Sequence, residues 1–367
     1  MFRVNNQPAG RIEVESENLF LGTESGNANV SGNVNTYVGA LSGKHNNGRG
    51  NTMVGARAGQ NNYFGHSNTN LGFRAGGRLG EGSQNTALGY DAGSFMGTGV
   101  GSLGNVSVGY ESGFNLRNGA GNVTIGRNAG NGGFGQTGIG SYNIYIGDSS
   151  APVSNNAQRN IAIGRRSGRN ISSAANNVLI GDSAGHNLTT GSGNVFVGDG
   201  ARGSTNNIQN ATALGPRAFA SANNVLVLGA VAGQNGATNG VNVGIGTTNP
   251  QAKLDVVGTA LISGEINRPS TGAANLVPIA YGNISANGNI ESGTGNFTVT
   301  LDAANVYIIQ ITGENYNTTG YITQITPRGT SAHFAVANAN ANRLTVRVFN
   351  ITGTVVANAF HFVVYKP

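Results

Sequence analysis

The chain contains no cysteine. Nothing in it can therefore rest on disulfides, thiol chemistry or Cys-ligated metal. Charge is scarce, at 10% Asp, Glu, Lys and Arg, with a net +6. Residues 1–246 hold fifteen Lys/Arg against ten Asp/Glu, and residues 247–367 hold six against five. This mild, scattered excess contains no polybasic run, which argues against a nucleic-acid partner. No apolar run approaches the length of a membrane-spanning helix, so membrane insertion is not expected. The opening Met1-Phe2-Arg3-Val4-Asn5 is not followed by the apolar core of a signal peptide. The five histidines include no pair at metal-ligand spacing. No catalytic constellation emerges, and neither a cofactor nor a bound metal is expected.

Glycine, by contrast, is abundant, at 61 of 367 residues, without a collagen triplet. It falls in a recurring phrase, Asn-x-x-(Val/Ile/Leu)-Gly-x-x-(Ala/Ser)-Gly. A clean copy runs from Asn51 through Gly55 to Gly59. Further copies are marked by Asn35 and Gly39, Asn85 and Gly89, Asn160 and Gly164, and Asn177 and Gly181. Fourteen copies span Gly22 to Gly246, usually 17 residues apart, with steps of 16, 20, 21 and 14 as exceptions. A fixed period of this length is the signature of a solenoid.

The residue before the anchor glycine is apolar in all fourteen copies, and the residue three before it is Thr, Val, Ile or Leu. The column between them varies. This alternation has the period of a strand. It predicts that the two regular columns point inward and the variable one outward. The Thr column at Thr36, Thr52, Thr69 and Thr86 is thus expected to face the interior, which speaks against ice binding. The second glycine allows a turn with positive φ. The Ala or Ser before it suits a narrow interior, and the Asn column can stack as an amide ladder.

The phrase resembles the head repeats of trimeric autotransporter adhesins. It resembles more closely the repeat shafts of bacteriophage and phage-tail-like injection-system fibres. The Asn, the apolar pair, the Gly and the Ala/Ser-Gly carry the likeness over residues 18–246. Residues 242–258, with Gly244-Ile245-Gly246-Thr247-Thr248-Asn249-Pro250 followed by Lys253-Leu254-Asp255-Val256, resemble a junction of tail-fibre proteins. The resemblance implies a trimeric fibre assembled in the cytoplasm as part of an extracellular particle. Such a fibre would join a baseplate or another fibre protein at its N-terminal end.

The expected organisation is all-β. Residues 1–17 form an attachment or capping segment. Residues 18–246 form a β-solenoid (β-roll) shaft of about 17-residue coils, roughly 65 to 70 Å long at the strand spacing. Residues 247–270 form a junction, and 271–367 a β-sandwich, jelly-roll-like tip. Seven apolar runs support the tip, and its closing strand Phe360–Tyr365 is expected to be central. A homotrimer, intertwined or side by side, is expected to cover the variable column at Phe20, Tyr37, Met53, Tyr145, Leu179, Phe196 and Val227.

Receptor contact, with a cell-surface glycan or protein, is expected on the tip at Tyr316, Asn317, Tyr321, Arg328 and His333, with Tyr281 as a weaker candidate. His361 is expected to be an outward strand residue. Asp148, Arg165, Asp182 and Asp199 follow their anchor glycines in successive coils. They suit a ladder of opposite charges better than a calcium site or the carboxylate pair of a polysaccharide-cleaving tailspike. The expected function is attachment to a target cell surface. A secreted trimeric adhesin is the alternative and the tailspike a second; an enzyme is not expected.

Overall fold

The computed structural model describes residues 1–4, 6–78, 80–95, 102–132, 140–153, 156–262 and 277–366. The chain forms two compact units, Met1–Gly258 and Thr259–Pro367. Every regular element among the described residues is a strand.

The first unit is a β-solenoid. Strands of three residues, such as Thr36–Val38, Thr52–Val54 and Ile161–Ile163, stack in parallel in a fifteen-stranded sheet. Register follows the repeat: Tyr37 lies opposite Met53, and Ala162 opposite Leu179. The first two strands differ. Phe2–Val4 and Gln7–Glu13 make an antiparallel hairpin, and the second lies antiparallel on Asn18–Leu21. This hairpin continues the sheet past the first coil and covers its end. There the Arg11 guanidinium sits 4.6 Å from the centre of the Phe20 ring and donates to the Gly26 carbonyl at 2.8 Å.

At the other end the sheet stops at Leu226–Leu228. The copy ending at Gly246 does not join it. Its strand Val243–Ile245 pairs in parallel with Leu254–Val256 from beyond the Pro250 turn. Proline lacks the amide proton that a ladder needs.

The phrase explains the coil. Each Asn of the repeat, from Asn18 to Asn194, is buried. Its Oδ1 accepts from the backbone N–H of the next Asn, as at Asn35 to Asn51 (2.9 Å), and its Nδ2 donates to a carbonyl, as Asn51 does to Gly65 (2.9 Å). The anchor glycines lie at φ of about 113° to 136° between Gly22 and Gly215. A Cβ on Gly55 would come 2.4 Å from the carbonyl oxygen of Gly72 in the next coil. A second left-handed site lies two residues after each of these anchors and, apart from Gly200, is occupied by ordinary side chains, including Leu41, Arg57 and Arg74.

The strand orientation is the reverse of the expectation. Phe20, Tyr37, Met53, Tyr145, Leu179 and Phe196 are fully buried, and Val227 is partly buried. They fill the coil interior against the Ala/Ser column, as the stacked Phe20 and Tyr37 rings do, 4.9 Å apart. The regular columns on either side of them point outward. Thr52 and Thr69 are exposed, so the Thr column does not face the interior. The physical reason is space: one strand residue per coil meets the small Ala or Ser across a narrow interior. Its two neighbours must then project from the opposite face of the pleat.

The second unit is a β-sandwich of two four-stranded antiparallel sheets. One is ordered Ile290–Gly293, Ala280–Ile284, Phe360–Tyr365, Ile322–Pro327; the other Phe297–Leu301, Val306–Ile311, Arg343–Asn350, His333–Asn340. The closing strand is central in its sheet, as expected. The core lies between the sheets, where Phe297 meets Phe362 edge-on at 4.9 Å and Tyr307 meets Phe360 at 4.8 Å. The first of the seven apolar runs, Leu276 to Tyr281 in the sequence, begins outside the described residues, and its strand is Ala280–Ile284.

Candidate functional site

The outward face of the solenoid sheet is its most unusual surface. It carries two parallel columns. The one before the anchor glycines is apolar throughout, and the one two residues earlier is Thr at Thr36, Thr52, Thr69, Thr86 and Thr212 and apolar in the other coils. Leu71 is 48% exposed, and Leu21, Ile125 and Ile180 are each more than a third exposed. Strands about 4.8 Å apart, with two columns roughly 10 Å wide, give a strip on the order of 600 Å², of which the column before the glycines and the Val/Ile stretch of its neighbour from Val106 to Val195 are apolar. Beside it Phe73, Tyr90 and Tyr110 follow successive anchor glycines. Their rings stack at 5.3 and 5.2 Å with one edge exposed.

Further along that column charges replace the aromatics. Arg127 pairs with Asp148 at 2.8 Å and Arg165 with Asp182 at 2.6 Å. Asp182 also accepts from the Ser183 hydroxyl at 2.8 Å. That bond, then Arg165, holds its carboxyl below the usual range. A carboxylate so engaged is a poor general acid. Among the described residues no three His, Asp or Glu side chains gather as a metal site.

The five tip residues do not form one site. The Tyr316 and Tyr321 rings pack together, 5.1 Å apart, in the sandwich core. Tyr316 shares a hydrogen bond with Thr323 at 2.9 Å, and Tyr321 donates to Glu314 at 2.5 Å. Both are buried, so neither offers a ring face to a sugar, which corrects the stacking role expected of them. Asn317 is exposed, but its Oδ1 accepts from the Thr319 hydroxyl and the Gly320 N–H, closing its own turn. His333 engages the Ser331 carbonyl.

Arg328 is better placed. It bonds Asn283 and Glu291, on the same sheet as the exposed His361. Asn283, His361 and Thr326 share one row across that sheet, and Tyr281, Val363 and Gln324 the next. Tyr281 is about half exposed. This polar face with one open aromatic is the part of the second unit best suited to sugar hydroxyls. Alternation in Phe360–Tyr365 points to His361, but Asn283 and Glu291 gave no sequence signal of joining it.

Set against protein-family models, curated proteins and solved structures, the chain matches none. What these surfaces can do follows from their own chemistry. One is a long apolar strip suited to self-association, the other a compact polar face suited to a hydroxylated ligand.

Proposed function

We propose that this chain is the subunit of a homotrimeric fibre that attaches a phage tail or contractile injection particle to a target cell surface. The observation that carries the reading is the apolar column before the anchor glycines on the outward sheet face, flanked by a second column that is largely Val, Ile or Leu from Val106 onward. Three chains related by a cyclic axis would cover those columns and release water from them. The likeness of the repeat to fibre shafts supports the same arrangement. The sandwich, with Tyr281, Asn283, His361 and Arg328 on one face, would contact a cell-surface glycan. Three weak contacts per fibre would act by avidity. The outer edge of Phe2–Val4, which has no neighbouring strand among the described residues, would meet a baseplate or another fibre protein.

The test is molar mass of the full chain by light scattering, with negative-stain images of the same peak. Three chain masses are expected. Ile163→Glu with Val197→Glu, both on the apolar strip, should give monomers that keep their β-type circular dichroism. Arg166→Glu, at a corner, should leave the mass unchanged. A monomeric unaltered chain would sink the trimer. Labelled trimer should bind intact target cells and lose that binding with Tyr281→Ala and Arg328→Ala.

A further inference from the structure

Along the solenoid corners, charged side chains in adjacent coils meet with opposite sign. Lys44 meets Glu24, Arg74 meets Asp91, Arg127 meets Asp148 and Arg165 meets Asp182. The rule is not universal: Asp91 and Glu111, both two residues after their anchors, place like negative charges in neighbouring coils, and another place gathers positive charge. Arg57 and Arg74 occupy the same repeat position in neighbouring coils, two residues after Gly55 and Gly72. They line one groove with Gln60, Asn61 and Arg78.

Three guanidinium groups thus line this groove with no carboxylate among its lining residues, and of the three only Arg74 has an ion-pair partner, the buried Asp91 at 3.1 Å. Among the described residues, Arg57 and Arg78 have no carboxylate partner. Arg78 is held over the Phe95 ring, 4.9 Å from its centre. This contact restrains the guanidinium without using its donors. The side-chain amides of Gln60 and Asn61 complete the groove. Its floor is kept low at Gly77, where a Cβ would come 3.0 Å from the Arg74 carbonyl oxygen.

Like charges one coil apart repel each other, and an anion between them reverses that cost. Guanidinium forks match the paired oxygens of phosphate and carboxylate. Neighbouring amides can donate to and accept from hydroxyls.

We propose that this groove binds an acidic glycan, with a phosphate or carboxylate substituent held by Arg57, Arg74 and Arg78 and adjacent sugar hydroxyls by Gln60 and Asn61. The site stands on the groove alone and does not depend on the chain being a fibre. It places a ligand on the solenoid rather than on the sandwich.

The experiment is calorimetric titration of the full chain with four probes: a phosphodiester-linked teichoic acid fragment, oligogalacturonate, neutral dextran and a single-stranded oligonucleotide. Binding of the first or second, weakened by salt, is expected, and which of them binds assigns the anion as phosphate or carboxylate. Arg57→Gln and Arg78→Gln should each weaken it by about tenfold, the loss of one charge-assisted fork. Arg166→Gln, the same charge change at the same repeat position elsewhere, should leave it intact. All three variants should melt with the unaltered chain. Absence of binding to both acidic glycans overturns the proposal. So does equal loss in Arg166→Gln, or an oligonucleotide that binds as tightly as the glycan.

Discussion

The Asn105 side-chain amide donates to Oδ1 of Asn85 at 3.0 Å although 20 residues separate them. Asn143 does the same to Asn122 across 21 residues, at 3.1 Å. The 17-residue neighbours Asn68 and Asn85 make the same bond at 3.2 Å. Inserted residues are therefore absorbed elsewhere in the coil, while the Asn column stays in line. Asn105→Ala would leave the buried Oδ1 of Asn85 without that donor and the Gly119 carbonyl without its 2.7 Å partner. A loss of about 2 kcal/mol in denaturant unfolding is expected. Asn283→Ala, outside the ladder, should cost less.

Asn70 occupies the interior column between Met53 and Ala87, fully buried, and among the described residues neither end of its amide finds a partner. Leu179 occupies the equivalent place in another coil and packs against the equivalent glycine, Gly185. Asn70→Leu should therefore fit. It should stabilise the solenoid by roughly 1 to 2 kcal/mol by removing an unsatisfied buried amide. A lower melting temperature would show that the amide is satisfied after all.

Val34 adopts φ +56°, a left-handed conformation that β-branched residues avoid, and its N–H is fixed on the Ser16 carbonyl at 2.8 Å. Equivalent positions carry Gly50 and Asn176. Val34→Asn should raise stability by about 1 kcal/mol. Because Val34 is half exposed, little packing is lost. Thermal melts of the two chains check it.

Glu314 accepts from the Tyr321 hydroxyl and from Lys366, and these partners, Tyr321 foremost, hold its carboxyl below its ordinary value of 4.5. A lowered folded-state value means that the carboxylate stabilises the sandwich above pH 4.5. That contribution fades as pH falls below this point and through the lowered value. Glu314→Gln should weaken the sandwich by about 1 kcal/mol at pH 7 and make it less sensitive to acid between pH 5 and about pH 3. Amide exchange along Phe360–Tyr365, followed with pH, reads both effects.

The sequence alone determined the period, the strand in each coil, the Asn ladder and the antiparallel C-terminal sheets, because each rests on local chemistry. An Asn every coil can meet only its own kind, a Gly right after the Ala or Ser marks a corner, and Phe360–Tyr365 alternates visibly. Which face of the short strand is the inside was decided only by the tertiary structure. Three residues alternate equally well in either sense. The interior column also holds Asn70, Ser107 and Thr124, whose polarity points outward in the sequence. In the fold, Thr124 bonds Ser107 at 3.0 Å between neighbouring coils, inside the solenoid. The two columns on either side are regular because they face outward together along the stacked strands.

The sandwich shows the same limit. Tyr316 and Tyr321 sit in a segment rich in Asn, Thr and Gly that has the composition of an open loop. Their rings are buried because Thr323 and Glu314, nearby in sequence, satisfy both hydroxyls inside the packed unit. The row of Asn283, Thr326 and His361 joins residues far apart in the chain, and only strand pairing brings them side by side.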